Sequence, residues 1–421
     1  MEINEARAKI NISLYGKYKI FAYDYLFYYA VEVLFYTIVK GFSMSEIMYL
    51  NSIYTFSAFF WQFFSSYIVE KIGLKKSIVL GNALVAVTTF LYIVVSSFTA
   101  FNIINFFLAL GFSLKSLSEG SLLYSSLKIV KKEKEFSKIE GKANSKFYYL
   151  DAISSILSGF LFVINGYLPI ILCFVCTLIS LIISINFKNI IKQESLDDDN
   201  INIVEALKDL KELISTRRTK AMLLFSSVFF GIASVVNTLY KAIILDIGIG
   251  EEFSTIIVCI TTIFIGLGAS WTYGIEKVTK KKTLTVFSIF LIISSFSISL
   301  IGIYCKLNMV TMSLLLISLS ILGIVQGAYR VAMKKYILNF TTNKVRIKIT
   351  SAYYIVENLG KCLILFLGGL ILEFTTNSIA CLMFTAVSML VLTIILEYIK
   401  DKFGLKPEEY SSKEINNIKL T

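Results

Sequence analysis

Long apolar segments, separated by short polar ones, make up most of the chain. A membrane-spanning α-helix needs about 20 apolar residues, and twelve segments are long enough. They are 18–39, 45–68, 77–98, 100–127, 147–166, 167–187, 221–245, 252–275, 283–304, 308–333, 349–372 and 376–399, numbered here as spans 1 to 12. The pattern predicts an all-α integral membrane protein with twelve transmembrane helices.

The polar segments that follow spans 2 and 8 are similar to each other. Residues 70–76 read EKIGLKK, and residues 276–282 read EKVTKKK. A repeat at about half the chain length is typical of transporters built from two related bundles. We therefore predict two pseudo-symmetric six-helix bundles. The predicted divisions are an N-terminal bundle at 1–187, a cytoplasmic linker at 188–220, a C-terminal bundle at 221–399 and a cytoplasmic tail at 400–421.

The predicted linker has apolar residues at positions 203, 204, 207, 210, 213 and 214, with charged residues between them. This spacing indicates an amphipathic helix. We expect it to lie on the inner surface of the membrane.

Composition and charge support a membrane protein. The chain has 421 residues, of which 56% are hydrophobic and 17% are charged, whereas soluble domains carry about 25% charged residues. The net charge of +12 would suit a nucleic acid, but the basic residues alternate between successive loops. Segment 128–146 alone holds seven lysines, while the loops on the other side keep only Lys40 and Lys306. The positive-inside rule then predicts cytoplasmic termini, a lipid bilayer as partner and no nucleic acid.

The sequence gives no sign of an enzyme's active site. It has no histidine, which removes His-based acid–base chemistry and most zinc sites. Its six cysteines lie in or beside apolar segments, as small buried residues do in membrane helices. We expect no enzymatic activity, no cofactor and no metal. A polytopic membrane enzyme or receptor is the distant alternative, but no loop contains a clustered catalytic set.

The loop between spans 2 and 3 carries a motif. It resembles the Gly-x-x-x-Asp-Arg-x-Gly-Arg-[Lys/Arg]-[Lys/Arg] loop of the major facilitator superfamily. Glu70 and Lys71 stand at the acid and base positions and Gly73 is retained, whereas Ser66 and Leu74 depart from the motif. The resemblance implies two rocking bundles and a conformational role for this loop and its copy. The residues concerned are Glu70, Lys71, Gly73, Lys75, Lys76, Glu276 and Lys277.

The sequence around span 4 resembles one group within this superfamily. Segments 111–128 and 136–143 resemble small bacterial facilitators grouped with drug or macrolide exporters, which commonly carry Asp where this chain has Ser125. The resemblance implies a monomeric exporter in the bacterial cytoplasmic membrane, working by antiport on an organic or amphipathic solute, with protons as the coupling ion. Uptake of a small metabolite by the same fold is the alternative.

Charged residues inside the spans are the candidate functional groups, because each is costly in hydrocarbon and normally faces a partner or a cavity. Lys115 and Glu119 lie four residues apart on span 4, so they are able to pair. At an offset of 211 residues they fall on Gln326 and Arg330 of span 10. In the resembled fold, spans 1, 4, 7 and 10 line the central cavity.

Burial raises the pKa of a carboxyl group, which allows protonation near neutral pH. The proton-coupling candidates are therefore Glu32, Glu119, Asp24, Asp151 and Glu357. The candidates for the substrate cavity are Lys115, Asn237, Lys241, Gln326, Arg330, Asn358 and Lys361. For any one of these residues the alternative is a structural ion pair that fixes helix packing.

Overall fold

The computed structural model of the protein describes residues 2–132, 135–190, 217–279, 282–339 and 346–398. Every secondary-structure element in these ranges is helical. Spans 2 to 6 are the helices Met44–Ile72, Leu74–Val94, Phe98–Ile129, Phe136–Ile164 and Leu168–Ile185. Spans 7 to 12 are Arg217–Asp246, Glu251–Thr279, Thr283–Tyr304, Met309–Asn339, Arg346–Leu372 and Asn377–Tyr398. The predicted amphipathic linker helix and the tail fall outside the described residues.

Span 1 is broken, so the prediction of one helix over 18–39 is wrong. The first helix, Glu2–Ala22, is followed by nine non-helical residues, then by an α-turn at Glu32–Leu34 and a π-helical turn at Phe35–Val39. Irregular backbone at membrane depth is tolerated only where it is buried in protein or lines a water-filled cavity. The break is therefore a feature that tertiary contacts must support.

Two serines of span 5 hold the break at Phe27. The φ angle of Phe27 is 63°, in the left-handed region that a bulky residue rarely adopts. The Phe27 N–H donates to Ser154 Oγ at 3.4 Å, and the Ser158 hydroxyl donates to the Phe27 carbonyl at 3.2 Å. These bonds satisfy backbone groups that a continuous helix would have satisfied internally.

Ten of the described helices are long and apolar enough to cross a membrane, while the helices of spans 1 and 2 are not among them. The first helix is polar along much of its length. The helix of span 2 is 29 residues long but mixes Ser, Tyr, Gln and Glu with its apolar residues. The two least hydrophobic spans are thus the first two in the chain.

Contacts divide the chain into two compact units. The first comprises 1–42 and 53–201, and the second comprises 43–52 and 202–421. The start of span 2 belongs to the second unit, where the Tyr49 hydroxyl donates to Glu373 Oε1 at 2.7 Å. The predicted boundaries of the two bundles stay a prediction, because residues 191–216 of the linker are not described.

Within each unit, glycines allow two helices to approach closely. A Cβ atom on Gly81 of span 3 would lie 2.7 Å from the Gly111 carbonyl oxygen of span 4. In the second unit, a Cβ on Gly268 of span 8 would lie 2.0 Å from the Ile324 carbonyl oxygen, and one on Gly327 of span 10 would lie 1.9 Å from that of Ile265. In a lipid bilayer the hydrophobic effect does not drive helices together, and small residues such as these glycines let helix backbones approach closely.

Different side-chain hydrogen bonds connect the chain segments at the two ends of the first unit. At one end, the Lys40 ammonium after span 1 donates to the Ile93 and Val95 carbonyls at 3.2 and 2.7 Å, at the end of span 3. At the other end, Asn11 exchanges hydrogen bonds with the Lys188 backbone, which follows span 6, at 3.0 and 2.7 Å. Chain segments separated by an even number of spans therefore meet at the same end.

Candidate functional site: an ionic cluster in spans 1, 4 and 5

A buried ion pair joins span 1 to span 4. The Lys19 ammonium lies 2.5 Å from Glu119 Oε1, and the two side chains are 8% and 5% exposed. Glu140 of span 5 places its Oε1 at 3.9 Å from the same ammonium and is 25% exposed. The Tyr15 hydroxyl donates to the other oxygen of Glu140. One ammonium group therefore serves two carboxylates. We call Lys19, Glu119, Glu140 and Tyr15 the ionic cluster.

The helical sequence explains how the cluster forms. Tyr15 and Lys19 are four residues apart on the first helix, so both project from one face. Spans 4 and 5 each pack against that helix. Because Glu119 lies on span 4 and Glu140 on span 5, the Lys19 side chain reaches both acids from a third helix.

Lys115 does not form the pair with Glu119 that its spacing allows. Its Nζ donates instead to the Ala22 carbonyl, at the end of the first helix, and lies 4.2 Å from the centre of the Phe112 ring. A cation at a helix C-terminus is favourable because the last carbonyls lack helical partners. Glu119 pairs with Lys19, whose ammonium approaches from the neighbouring helix. Lys115 therefore caps the C-terminus of the first helix, which ends where the break begins.

The other acidic candidates of the first unit lie around the break. Asp24 Oδ1 accepts hydrogen bonds from the Tyr25 N–H at 2.9 Å and the Tyr29 hydroxyl at 2.8 Å. Asp151 of span 5 lies close enough to Asp24 for the two carboxyl groups to interact electrostatically. Glu32 opens the α-turn after the break and is electrostatically coupled to the Tyr29 hydroxyl. All three acids are partly exposed.

Two polar candidates of the second unit, on spans 7 and 10, form a neutral contact with each other. Asn237 of span 7 and Gln326 of span 10 exchange side-chain amide hydrogen bonds at 3.0 and 3.1 Å. Arg330 is exposed, and its guanidinium carbon lies 5.7 Å from the centre of the Phe230 ring. The positions that the repeat equates thus differ in charge and in contacts.

The remaining candidates of the second unit are partly buried. They are Lys241 on span 7 and Glu357, Asn358 and Lys361 on one turn of span 11. Within the described parts of the chain, no three His, Cys, Asp or Glu side chains are grouped so that they could hold a metal ion.

The loop motif after span 2 contains one position that requires glycine. Gly73 has a φ of 85° and directly precedes the helix of span 3. Glu70 and Lys71 are exposed on the last turn of span 2. In the second copy, Thr279 stands at the glycine position and is still helical. The two copies therefore differ in backbone at this point, and their conformational role stays a prediction.

Sequence reasoning missed three of the four members of the ionic cluster. Lys19 could have been found, because it is a charged residue within predicted span 1. Glu140 gave no comparable signal, since it lies among the many charges of segment 128–146. Tyr15 precedes predicted span 1, which begins at residue 18, so it was not among the charged residues inside the spans.

Comparisons with known proteins show the family. The sequence profile of the Major Facilitator Superfamily matches residues 20–312, more than half of the chain. A search of curated proteins finds no match.

Solved structures agree in fold. The nucleoside transporter NupG superimposes with a TM-score of 0.72 at 12% identity, covering 95% of this chain and 98% of that one. A POT family transporter in complex with 5-aminolevulinic acid gives 0.66 at 12% identity, covering 94% and 95%. A D-xylose–proton symporter gives 0.65 at 11% identity, covering 96% and 98%. The twelve-span fold predicted from the sequence is confirmed, and the chain belongs to the Major Facilitator Superfamily.

Proposed function

We propose that the protein is a proton-coupled secondary transporter that exports an organic or amphipathic solute by alternating access. The observation that carries this proposal is the Lys19–Glu119 ion pair, buried between two spans of the first unit. Charges within membrane spans are costly and mark proton or substrate pathways in pumps and transporters. The proposal includes a monomer in the bacterial cytoplasmic membrane, with both termini inside.

Protonation of Glu119 offers a physical route to coupling. An ionised Glu119 attracts the Lys19 ammonium and ties span 1 to span 4. A protonated Glu119 loses most of that attraction, so a conformation that separates the two groups becomes less costly. A ligand shifts a conformational equilibrium only by its difference in affinity for the two states, and a proton on Glu119 supplies such a difference.

The direction of transport has two candidates. The resemblance of span 4 to drug and macrolide exporters favours export with protons moving inward. Likeness to a D-xylose–proton symporter favours uptake, in which solute and proton move the same way. Both directions use the same proton site, and the sign of the proton flux separates them.

The test uses purified protein in liposomes that contain a pH-sensitive dye. Uridine, D-xylose, dialanine and a macrolide are added under an imposed pH gradient. At least one of these solutes should accumulate on one side of the membrane, with a matching proton flux. Antiport should concentrate the solute on the acidic side, and symport should concentrate it on the alkaline side.

Glu119→Gln should abolish accumulation driven by the gradient yet retain exchange of labelled for unlabelled solute. Glu135→Gln, an exposed acid that pairs with Lys132 at 3.4 Å, is the control. Accumulation that ignores the pH gradient would remove proton coupling from the proposal.

The same vesicles rank the other candidates. If Glu119→Gln transports normally, the next coupling candidates are Glu32, Asp24, Asp151 and Glu357. Glu70→Gln tests the loop motif, since it should slow transport without changing the yield of inserted protein. Normal rates in that variant would reduce Glu70 to an ordinary surface acid.

A further inference from the structure

We infer that the second unit carries a separate binding site for a small zwitterionic solute, an α-amino acid with an apolar side chain. The site lies where the helices of spans 7, 9 and 11 end and those of spans 2 and 12 begin. The predicted topology places this end of the unit outside the cell. The site shares no residue with the ionic cluster, so the inference is independent of proton coupling and of the direction of transport.

A cavity of about 600 Å³ lies among these helix ends. Small-molecule sites have volumes of about 300–1,000 Å³, so the cavity has room for an amino acid. Every residue that lines it belongs to the second unit, including the first residues of span 2. The site is therefore complete within one unit.

One part of the cavity attracts positive charge. Among the described residues that line it, Asp246 at the end of span 7 is the one with a charged side chain. Its Oδ2 accepts a hydrogen bond from Asn377 Nδ2 at 2.9 Å, and a carboxylate has further acceptor positions. Ile303 and Leu372 lie in the last turns of spans 9 and 11, where helix carbonyls carry partial negative charge. These groups suit an ammonium.

The first turn of span 12 has the opposite character. The Ala380 N–H donates to the Thr376 carbonyl at 2.8 Å, so the N–H groups of the residues between them lack partners in the helix. Ser378 lies in this turn, lines the cavity and is only 5% exposed. Its hydroxyl makes no hydrogen bond among the described residues, whereas most hydroxyls so buried have a partner. A carboxylate in the cavity would supply that partner.

Gly302 of span 9 makes room for this hydroxyl. A Cβ atom on Gly302 would lie 2.2 Å from Ser378 Oγ, which is far too close for non-bonded atoms. Both residues line the cavity. A side chain at position 302 would therefore displace the Ser378 hydroxyl and occupy part of the site.

The closeness of the two charged regions selects the class of ligand. Asp246 is one hydrogen bond away from Asn377, and Ser378 follows directly. An α-amino acid carries its ammonium and its carboxylate on one carbon, so both groups can bind at this short separation. A simple anion would meet the charge of Asp246, and a simple cation would leave the Ser378 hydroxyl without an acceptor. Met44 and Ile379 line the same cavity and suit an apolar side chain.

L-Leucine is the probe. Binding of tritiated L-leucine to purified full-length protein is measured near neutral pH, in competition with leucinamide and with 4-methylpentanoate. Leucinamide lacks the carboxylate, and 4-methylpentanoate lacks the ammonium. L-Leucine should bind saturably, and each competitor should bind at least about tenfold more weakly, since a hydrogen bond to a charged group has an effect of that size. The absence of saturable binding would overturn the inference.

Two conservative variants place the bound leucine. Asp246→Asn removes the negative charge but keeps an acceptor for Asn377, and Ser378→Ala removes the unpartnered hydroxyl. Each should weaken binding of L-leucine by about tenfold. Asp246→Asn should also abolish the preference for L-leucine over 4-methylpentanoate, which a loss of folded protein alone would not do.

Glu251→Gln is the matched control, because this acid opens the helix of span 8 and does not line the cavity. It should bind L-leucine as wild type does. Gly302→Ala should weaken binding by blocking the site. Wild-type affinity in both Asp246→Asn and Ser378→Ala would place the bound leucine elsewhere and overturn the inference. Leucine binding that these variants abolish, in a protein without proton-coupled transport, would support this site and remove the proposed function.

Discussion

At the scale of single residues, three buried lysines perform different tasks in the first unit. Lys19 pairs with carboxylates, Lys40 binds carbonyls at the end of span 3, and Lys115 binds the last carbonyl of the first helix. Two of these ammonium groups therefore stabilise helix ends, where unpaired carbonyls collect partial negative charge. A lysine in a membrane helix need not mark a substrate site.

Replacing Lys115 should cost stability. In Lys115→Met the Ala22 carbonyl loses its donor, so the free energy of unfolding should fall by about 1–3 kcal/mol. The thermal unfolding midpoint in detergent measures this change. Ser116→Ala is the matched control, because Ser116 is exposed and its hydroxyl bonds only within its own helix. An unfolding midpoint equal to that of wild type would show that the Ala22 carbonyl finds another partner.

The site was only partly predictable from the sequence. The four-residue spacing of Lys115 and Glu119 correctly places both on one face of span 4, but it does not state which groups other helices bring nearby. Lys19 arrives from span 1 and takes Glu119, while the end of the first helix takes Lys115. Partners from distant parts of the chain are set by tertiary packing, which spacing along one helix does not encode.

At the scale of elements, spans 8 and 10 approach each other closely in the second unit. Gly268 of span 8, and Gly323 and Gly327 of span 10, face backbone carbonyls of the other helix at distances that leave no room for a Cβ atom. Their surfaces match so closely that sliding or rotation of one helix on the other would create clashes. The two helices are therefore expected to behave as a rigid pair.

Gly327→Ala tests this contact. The added methyl group would meet the Ile265 carbonyl oxygen at 1.9 Å, so the helices must separate, at a cost of about 1–3 kcal/mol. The unfolding midpoint should fall. Gly266→Ala on span 8 meets nothing within 4 Å and should raise stability slightly, since alanine favours helix over glycine. Equal midpoints for the two variants would contradict the close contact.

The spans themselves were predictable, but the break in span 1 was not. Long apolar runs identify helices because backbone groups in lipid must bond within their own segment. The broken stretch, YDYLFYYAV at 23–31, contains no Gly or Pro. Its conformation depends on serines of span 5 and on Lys115 of span 4. The residues of the broken stretch therefore do not by themselves indicate a break.

At the scale of the whole molecule, the alternation of basic loops predicts the orientation in the membrane. Cysteines at Asn308 and Thr376, both exposed, should react from outside the cell with a membrane-impermeant maleimide. A cysteine at exposed Lys132 should react only after the membrane is opened. The background replaces the six native cysteines. Labelling of the Lys132 position in intact cells would reverse the predicted topology.

The broken first span also bears on how the chain enters the membrane during synthesis. The first two spans emerge first from the ribosome, yet their helices are the ones that lack the hydropathy of a spanning helix. The groups that stabilise the break, on spans 4 and 5, are made only later. A nascent chain that ends after span 2 therefore lacks Glu119, the ion-pair partner of Lys19, and the serines that bond to Phe27. Stable insertion of the N-terminal hairpin is expected to follow that of spans 3 to 5, so the order of integration differs from the order of translation.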